Sequence, residues 1–128
     1  AAFAELAASV AQAYRCECRA TVAPRFASFD PEAAVQLYRI AQEAAVNAAR
    51  HGGARQITID LAAPGSAAIL RVEDDGRGLP KQRARGRGLG LATMSYRAGL
   101  LGGRLLFEDR QGGGTSLTCR LENCRGFA

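Results

Sequence analysis

Tryptophan is absent from this 128-residue chain, and three Tyr and five Phe are all the rings it holds. A core of stacked rings is therefore excluded, and burial must rest on Leu, Ile, Val and Ala. Histidine and cysteine are scarce as well, with one His and four Cys. No CxxC pair occurs, and His51 has no cysteine nearby. Cys16 and Cys18 stand two apart in a strand-like run, a spacing that neither a disulfide nor a metal site uses easily. Cys119 lies in another strand-like run and Cys124 in a polar tail. This pattern reads as reduced thiols in the cytoplasm. No apolar run approaches a membrane span and no signal peptide opens the chain. The first residues are already helix-like, as expected of a piece cut from a longer protein.

What is present suffices for one domain spanning residues 1–128. Hydrophobic residues make up 48% and charged residues 23%, enough to bury a core and stay in solution. The formal net charge is +5, which invites anions. The excess is partly local, because Lys81, Arg83, Arg85 and Arg87 crowd one short loop. That favours a small anionic ligand over a nucleic-acid track.

Residues 2–14 place Phe3, Leu6, Val10 and Ala13 at helical spacing. Cys16 to Val22 alternates as a strand. Asp30-Pro31 is a helix start, since Asp caps and Pro suits the first turn. The helix runs to about Arg50, with Val35, Leu37, Tyr38, Ile40, Ala41, Ala44 and Ala48 on or near its apolar side, and Gly52-Gly53 ends it. Gln56 to Leu61 and Ala68 to Val72 form two strands around Pro64-Gly65-Ser66. A glycine-rich basic loop runs from Asp75 to Gly88. Leu89 to Leu101 reads as a helix, and Arg104 to Glu108 with Thr115 to Leu121 as a closing hairpin. The order αβαββαββ predicts an α+β fold: a mixed, mostly antiparallel sheet with helices on one face.

Four features carry chemistry. On the long helix, Glu43, Asn47 and either Arg50 or His51 share one face. A carboxylate and an amide oxygen one turn apart suit Mg²⁺, which takes hard oxygen ligands and shares itself with waters and phosphates. Taken alone, the stripe favours a solvated helix face with a terminal cation suited to the helix dipole. The run Glu73-Asp74-Asp75-Gly76-Arg77-Gly78 follows a strand, where a carboxylate can accept from the exocyclic amine of adenine. Gly76 and Gly78 leave room for a flat base. Gly86-Arg87-Gly88-Leu89-Gly90-Leu91 opens a helix, and bare amides there bind phosphate. It is no dinucleotide fingerprint, because a long loop separates it from the preceding strand and Leu91 takes the third small position. No P-loop sequence exists. Finally, Gly114-Thr115 starts the last strand, where a hydroxyl can meet a base directly or through water.

Together these stretches resemble the Bergerat-fold ATPases, which include DNA gyrase, MutL and histidine kinases. Residues Leu37 to His51 resemble the N box, Val72 to Gly78 the G1 box, Gly86 to Leu91 the G2 box, and Gly114-Thr115 the adenine-side motif. The N box and the run Met94 to Gly103 resemble the nitrate-sensor type of histidine kinase. The resemblance implies ATP and Mg²⁺ as cofactors. It implies that Asp74, helped by Gly78 and Thr115, holds adenine beside Gly76. Asn47 would coordinate Mg²⁺ with Glu43 assisting, the pair serving catalysis, and Arg50 and His51 would face phosphates or ribose. The amides from Arg87 through Gly88, Leu89, Gly90 and Leu91 would cradle the phosphates. Residues 79–87 would form a short basic lid, expected to move without nucleotide. The implied partners are a helical dimerisation domain carrying the phosphoacceptor histidine, a downstream response regulator and a second copy of the parent, itself open to membrane anchoring. The alternatives are an anti-sigma type serine kinase of the same fold and a non-catalytic interaction module.

Overall fold

A computed structural model describes residues 2–77 and 91–122 of the chain. In chain order the described elements are α1 (Ala2–Tyr14), β1 (Glu17–Val22), a 3-10 turn (Pro24–Ser28), α2 (Pro31–Arg50), β2 (Gln56–Ala62), β3 (Ala68–Asp74), α3 (Leu91–Leu100), β4 (Arg104–Asp109) and β5 (Thr115–Leu121). The five strands lie in the order β1-β2-β3-β5-β4. Only β1 and β2 run parallel. They are joined through α2, and a parallel pair needs such a crossover. The α+β reading and the order αβαββαββ agree with this architecture.

The helices form where periodicity and punctuation coincide. In α1, Phe3, Leu6, Ala7 and Val10 are all buried, one apolar stripe at helical spacing. Ala13 falls outside that stripe and is exposed. Arg15 ends the helix at φ 54°, and the Cys16 amide donates to the Ala11 carbonyl at 3.2 Å, the C-terminal closure that a left-handed residue allows. The Asp30 side chain accepts from the Glu32 amide at 3.2 Å and Pro31 opens the first turn of α2. Gly53, at φ 61°, lets the chain leave α2, with the Ala54 amide on the Ala48 carbonyl at 3.0 Å.

One face of the sheet makes the core. Ile57, Ile59 and Leu61 alternate inward from β2, Ala68, Leu70 and Val72 from β3, and Leu117, Cys119 and Leu121 from β5. Register lines them up across strands, Ile59 with Val72 and Val72 with Leu117. Leu37, Ile40, Ala41, Ala44, Ala45 and Ala48 of α2 cover them, joined by Leu91, Met94 and Ala98 of α3. Some of the scarce rings cluster, Phe3 meeting Phe26 and Tyr38 edge-on at 5.8 and 5.7 Å. None of Cys16, Cys18 and Cys119 is in a disulfide. Burial, and next to it the neighbouring Cys16, pushes the Cys18 thiol up to about 11. No described helix is long and apolar enough to cross a membrane.

Further expectations need correction, besides one-residue extensions of β2 to Ala62 and β4 to Asp109. Strand β3 runs on through Glu73 to Asp74, where periodicity suggested an end at Val72. Pairing of Asp74 with Ile57 and of Glu73 with Ser116 carries the strand past its apolar stretch. Cys16 precedes β1 instead of starting it. Val35 is 50% exposed, because it lies off the buried stripe of α2. It lines an apolar groove of about 850 Å³ with Phe3, Val22, Phe26 and Tyr38.

Leu37 is wholly buried, so Leu37→Ala should lower the unfolding free energy by about 2–5 kcal/mol. Val35→Ala should change it by less than about 0.5 kcal/mol. Urea unfolding of both variants measures the contrast, and equal losses would contradict the placement of α2.

Candidate nucleotide-binding site

The alternation that points Ala68, Leu70 and Val72 inward places Asp74 on the same face of β3, at its very end. Asp74 is 6% exposed and Thr115, at the start of β5, is 8% exposed. They are the buried polar residues among those described. The pairing of Glu73 with Ser116 sets them side by side, one step beyond it. A buried carboxylate next to a buried hydroxyl at a sheet end is costly unless the groups find partners. Here the Gly76 amide donates to Asp74 Oδ1 at 2.8 Å. Burial is the largest influence on Asp74 and raises its pKa, with the charge of Asp75 adding to it. The backbone amides of Gly76 and Thr115 and the charge of Arg110 oppose the rise. An ionised carboxylate offers about four lone-pair sites, so two amides leave acceptor capacity for a further donor.

Asp75 does different work. Its exposed Oδ1 accepts from the Arg55 and Gln56 amides at 2.8 and 2.9 Å. These two bonds, Gln56 first, lower its pKa. Asp75 thus fastens the start of β2, and Asp74 is the carboxylate that faces inward.

Glycines let neighbouring backbones close around Asp74. A Cβ on Gly76 would lie 2.6 Å from the Gly52 carbonyl oxygen and 3.0 Å from Asp74 Oδ1. Gly114 has φ 98°, and a Cβ there would lie 1.9 Å from the Asp74 carbonyl oxygen. Both positions exclude a side chain.

The end of α2 is stitched to the same turn. The Arg77 amide donates to the Gly52 carbonyl and Arg77 Nη2 to the His51 carbonyl, each at 2.9 Å. The His51 amide in turn donates to the Asn47 carbonyl at 2.9 Å. Glu43 and Asn47 are half-buried one turn apart on α2, His51 is half-buried and Arg50 is exposed. Asp74, Gly76, Gly114, Thr115 and the end of α2 are therefore brought together at one end of the sheet. Leu91 is the first residue of α3, and its side chain is in the core. Gly78, Arg87, Gly88, Leu89, Gly90 and the lid at 79–87 lie outside the described residues.

Sequence reading passed over three residues that hold this end in place. Asp75 had a signal, as the second member of an acidic doublet after a strand. Arg77 sat inside a recognised motif without a role. Arg110, whose Nη1 donates to the Asp74 carbonyl at 2.8 Å, had none, because only the folded hairpin brings it there.

Residues 32–124 match the family model described as histidine kinase-, DNA gyrase B-, and HSP90-like ATPase. The chain is similar to sensor histidine kinase LnrJ of Bacillus subtilis (strain 168), 41% identical over 75 residues, covering 59% of this chain and 18% of that protein. It is also similar to the signal transduction histidine-protein kinase/phosphatase DegS of the same strain, 31% identical over 94 residues, 71% of this chain and 24% of DegS. The chain thus spans less than a quarter of the length of these two relatives. Among solved structures, the ATP binding domain of PrrB from Mycobacterium tuberculosis superposes with a TM-score of 0.75 at 25% identity, covering 95% of this chain and 91% of that one. The histidine kinase domain of the Erythrobacter litoralis EL346 blue-light activated kinase shares the fold, with a TM-score of 0.76 at 20% identity over 95% of this chain and 61% of that one.

The two aspartates should affect stability in opposite senses. The Asp75 pKa is lowered, so its contribution is present above the ordinary carboxylate range and is lost as pH falls through the folded-state value. The Asp74 pKa is raised, so its charge costs stability at neutral pH. In the nucleotide-free domain, Asp75→Asn should melt below wild type at pH 7, the gap closing in acid. Asp74→Asn should melt no lower than wild type at pH 7. Thermal unfolding at pH 7 and pH 3 checks both, and a large loss in Asp74→Asn would contradict the burial argument.

Proposed function

The chain belongs to the histidine kinase-, DNA gyrase B- and HSP90-like ATPase family, and we propose that it is the nucleotide-binding catalytic domain of a sensor histidine kinase. The observation that carries this is the buried Asp74 carboxylate beside Thr115, walled by glycines, at the end of a sheet. Asp74 accepts a hydrogen bond from the exocyclic amine of adenine, with Gly76, Gly78 and Thr115 around the base. Arg50 and His51 meet phosphate or ribose, and amides from Arg87, Gly88, Leu89, Gly90 and Leu91 cradle the phosphates.

Glu43 and Asn47 hold Mg²⁺. Their carboxylate and amide oxygens stand one turn apart and half-buried on α2, a hard-oxygen pair that fits this ion. Among the described residues no three His, Cys, Asp or Glu groups cluster around a common point. Mg²⁺ held by few protein groups is completed by waters and phosphate oxygens. When bound, Mg²⁺ neutralises charge on the phosphates. Phosphoryl transfer depends mainly on such positioning and charge. The acceptor is a histidine on a separate helical domain: its ring nitrogen bonds to the γ-phosphorus as the bond to the bridging β–γ oxygen breaks, and ADP departs.

The similarity to sensor histidine kinases supports this reading over an anti-sigma type serine kinase. The run from Met94 to Gly103 favours a nitrate-sensor-like subtype. In the parent, this single domain at 1–128 works in the cytoplasm within a homodimer, upstream of a response regulator.

Calorimetric titration of ATP and ADP, with and without Mg²⁺, tests the proposal. Wild type should bind both saturably. Asp74→Asn should weaken both by about tenfold or more, the worth of a hydrogen bond to a charged group. Asn47→Asp should alter the Mg²⁺ dependence. Label from γ-labelled ATP should appear on an added helical domain bearing a histidine and scarcely at all without it. Undiminished binding by Asp74→Asn would overturn the assignment of the adenine pocket.

A further inference from the structure

The β4–β5 turn reaches Asp74 from outside the motifs given a role above. Arg110 closes that turn. Its amide donates to the Gly114 carbonyl at 2.9 Å, and its carbonyl accepts from the Gly113 amide at 3.1 Å. Gly112, Gly113 and Gly114 follow at φ 90°, 117° and 98°, a path that side chains would resist. The curl brings the Arg110 guanidinium back over the end of β3, where Nη1 donates to the Asp74 carbonyl at 2.8 Å. Gly114 packs against the same carbonyl so closely that no Cβ fits. One peptide group is thus gripped by a charged side chain and by a bare backbone.

We propose that Arg110 is a positioning residue for nucleotide recognition: anchored on the Asp74 carbonyl, its guanidinium holds a cation beside the Asp74 carboxylate that meets the base amine. This rests on the reading of Asp74 as the adenine acceptor.

The electrostatics agree with the geometry. Burial drives Asp74 toward its neutral form, and the charge of Asp75 pushes the same way. Against them stand the amides of Gly76 and Thr115 and the charge of Arg110. The amides come with the fold. Arg110 is the side chain among these opposing groups that can be exchanged without altering the backbone. A protonated Asp74 turns one oxygen into a donor and offers a poorer acceptor to an amine. Arg110 is itself exposed, so water screens its charge. The expected signature is therefore a displaced pH dependence, with the site retained. Other ionisable groups described at this end of the sheet are Glu73 beside Asp74, Glu108 and Asp109 of β4, paired with Ser116 and Thr115, His51 at the end of α2, and Arg77 bonded to its carbonyl. These groups, like the nucleotide phosphates, are present in every Arg110 variant, so the variants are compared with one another.

The test is ADP affinity by calorimetry from pH 5 to pH 8, in wild type, Arg110→Gln, Arg110→Lys and Asp74→Asn. Arg110→Gln should bind more weakly than wild type at the acid end, with the deficit shrinking toward pH 8, so that its acid limb lies at higher pH than that of wild type. Arg110→Lys, which keeps the charge, should follow the wild-type limb. Should Arg110→Gln fail to melt cooperatively, Arg110→Ala repeats the comparison with no polar group left to misplace. Wild-type affinity at every pH in the uncharged variants, or a deficit of the same factor at every pH, overturns the role of Arg110. Absence of binding by wild type, or undiminished binding by Asp74→Asn, overturns the adenine reading beneath it.

Discussion

Asp74 keeps a carboxylate almost out of water at the end of a strand whose inward neighbours are Val72 and Leu70. An isolated buried charge costs several kcal/mol even after relaxation, so the fold must surround this one with donors. It does so mostly with backbone. Amides from the turn after β3 and from the start of β5 converge on the side chain. Backbone can approach this closely only where Gly76 and Gly114 offer no Cβ. The glycines around Asp74 therefore serve distance as much as conformational freedom. The remaining acceptor capacity is what makes the position useful, since a charge satisfied by only two amides still favours a donor brought in by a ligand.

The rest of the molecule delivers that end of the sheet. Helix α2 is rich in alanine on its buried side: Ala41, Ala44, Ala45 and Ala48 all pack inward. Small side chains allow the helix axis to lie close to the sheet, so its last turn arrives level with the end of β3. Gly52 can then accept from Arg77, and the Arg77 guanidinium can close on the His51 carbonyl. Glu43 and Asn47 follow from the same placement, because residues one and two turns before the helix end share the face of His51. A core with few rings is consistent with this closeness: the aromatic cluster of Phe3, Phe26 and Tyr38 lies elsewhere, where α1 meets the outer part of α2.

Element order and sheet class were legible because each element carried its own period and each junction its own punctuation. Asp30-Pro31 and Gly52-Gly53 bracket α2 as expected, and Ile57, Ile59 and Leu61 alternate as a half-buried strand should. The candidate site was legible as a set of short motifs, and Asp74, Gly76 and Thr115 do meet. What escaped was tertiary. Acidic residues are poor strand formers, so nothing local carried β3 to Asp74; pairing on both sides did. Val35 looked apolar enough for the core, yet its position on the helix turns it outward. Arg110 precedes a glycine run and reads as an ordinary turn residue until the hairpin folds back.

The adjacent pair Asp74-Asp75 shows why register, beyond composition, is what this site encodes. The two carboxylates are chemically alike, yet one has its pKa raised and the other lowered. Strand alternation makes the difference: at the end of β3 it turns Asp74 toward the core and leaves Asp75 at the surface, where the Arg55 and Gln56 amides meet it. A slip of one residue would exchange them. The surface carboxylate would then be buried and the amides of β2 would lose their acceptor. Asp75 opposes such a slip, because its two bonds tie the end of β3 to the first residue of β2 and so fix which aspartate faces inward. The acidic doublet thus divides its work: Asp75 sets the register, and Asp74 is the carboxylate left buried at the end of the sheet.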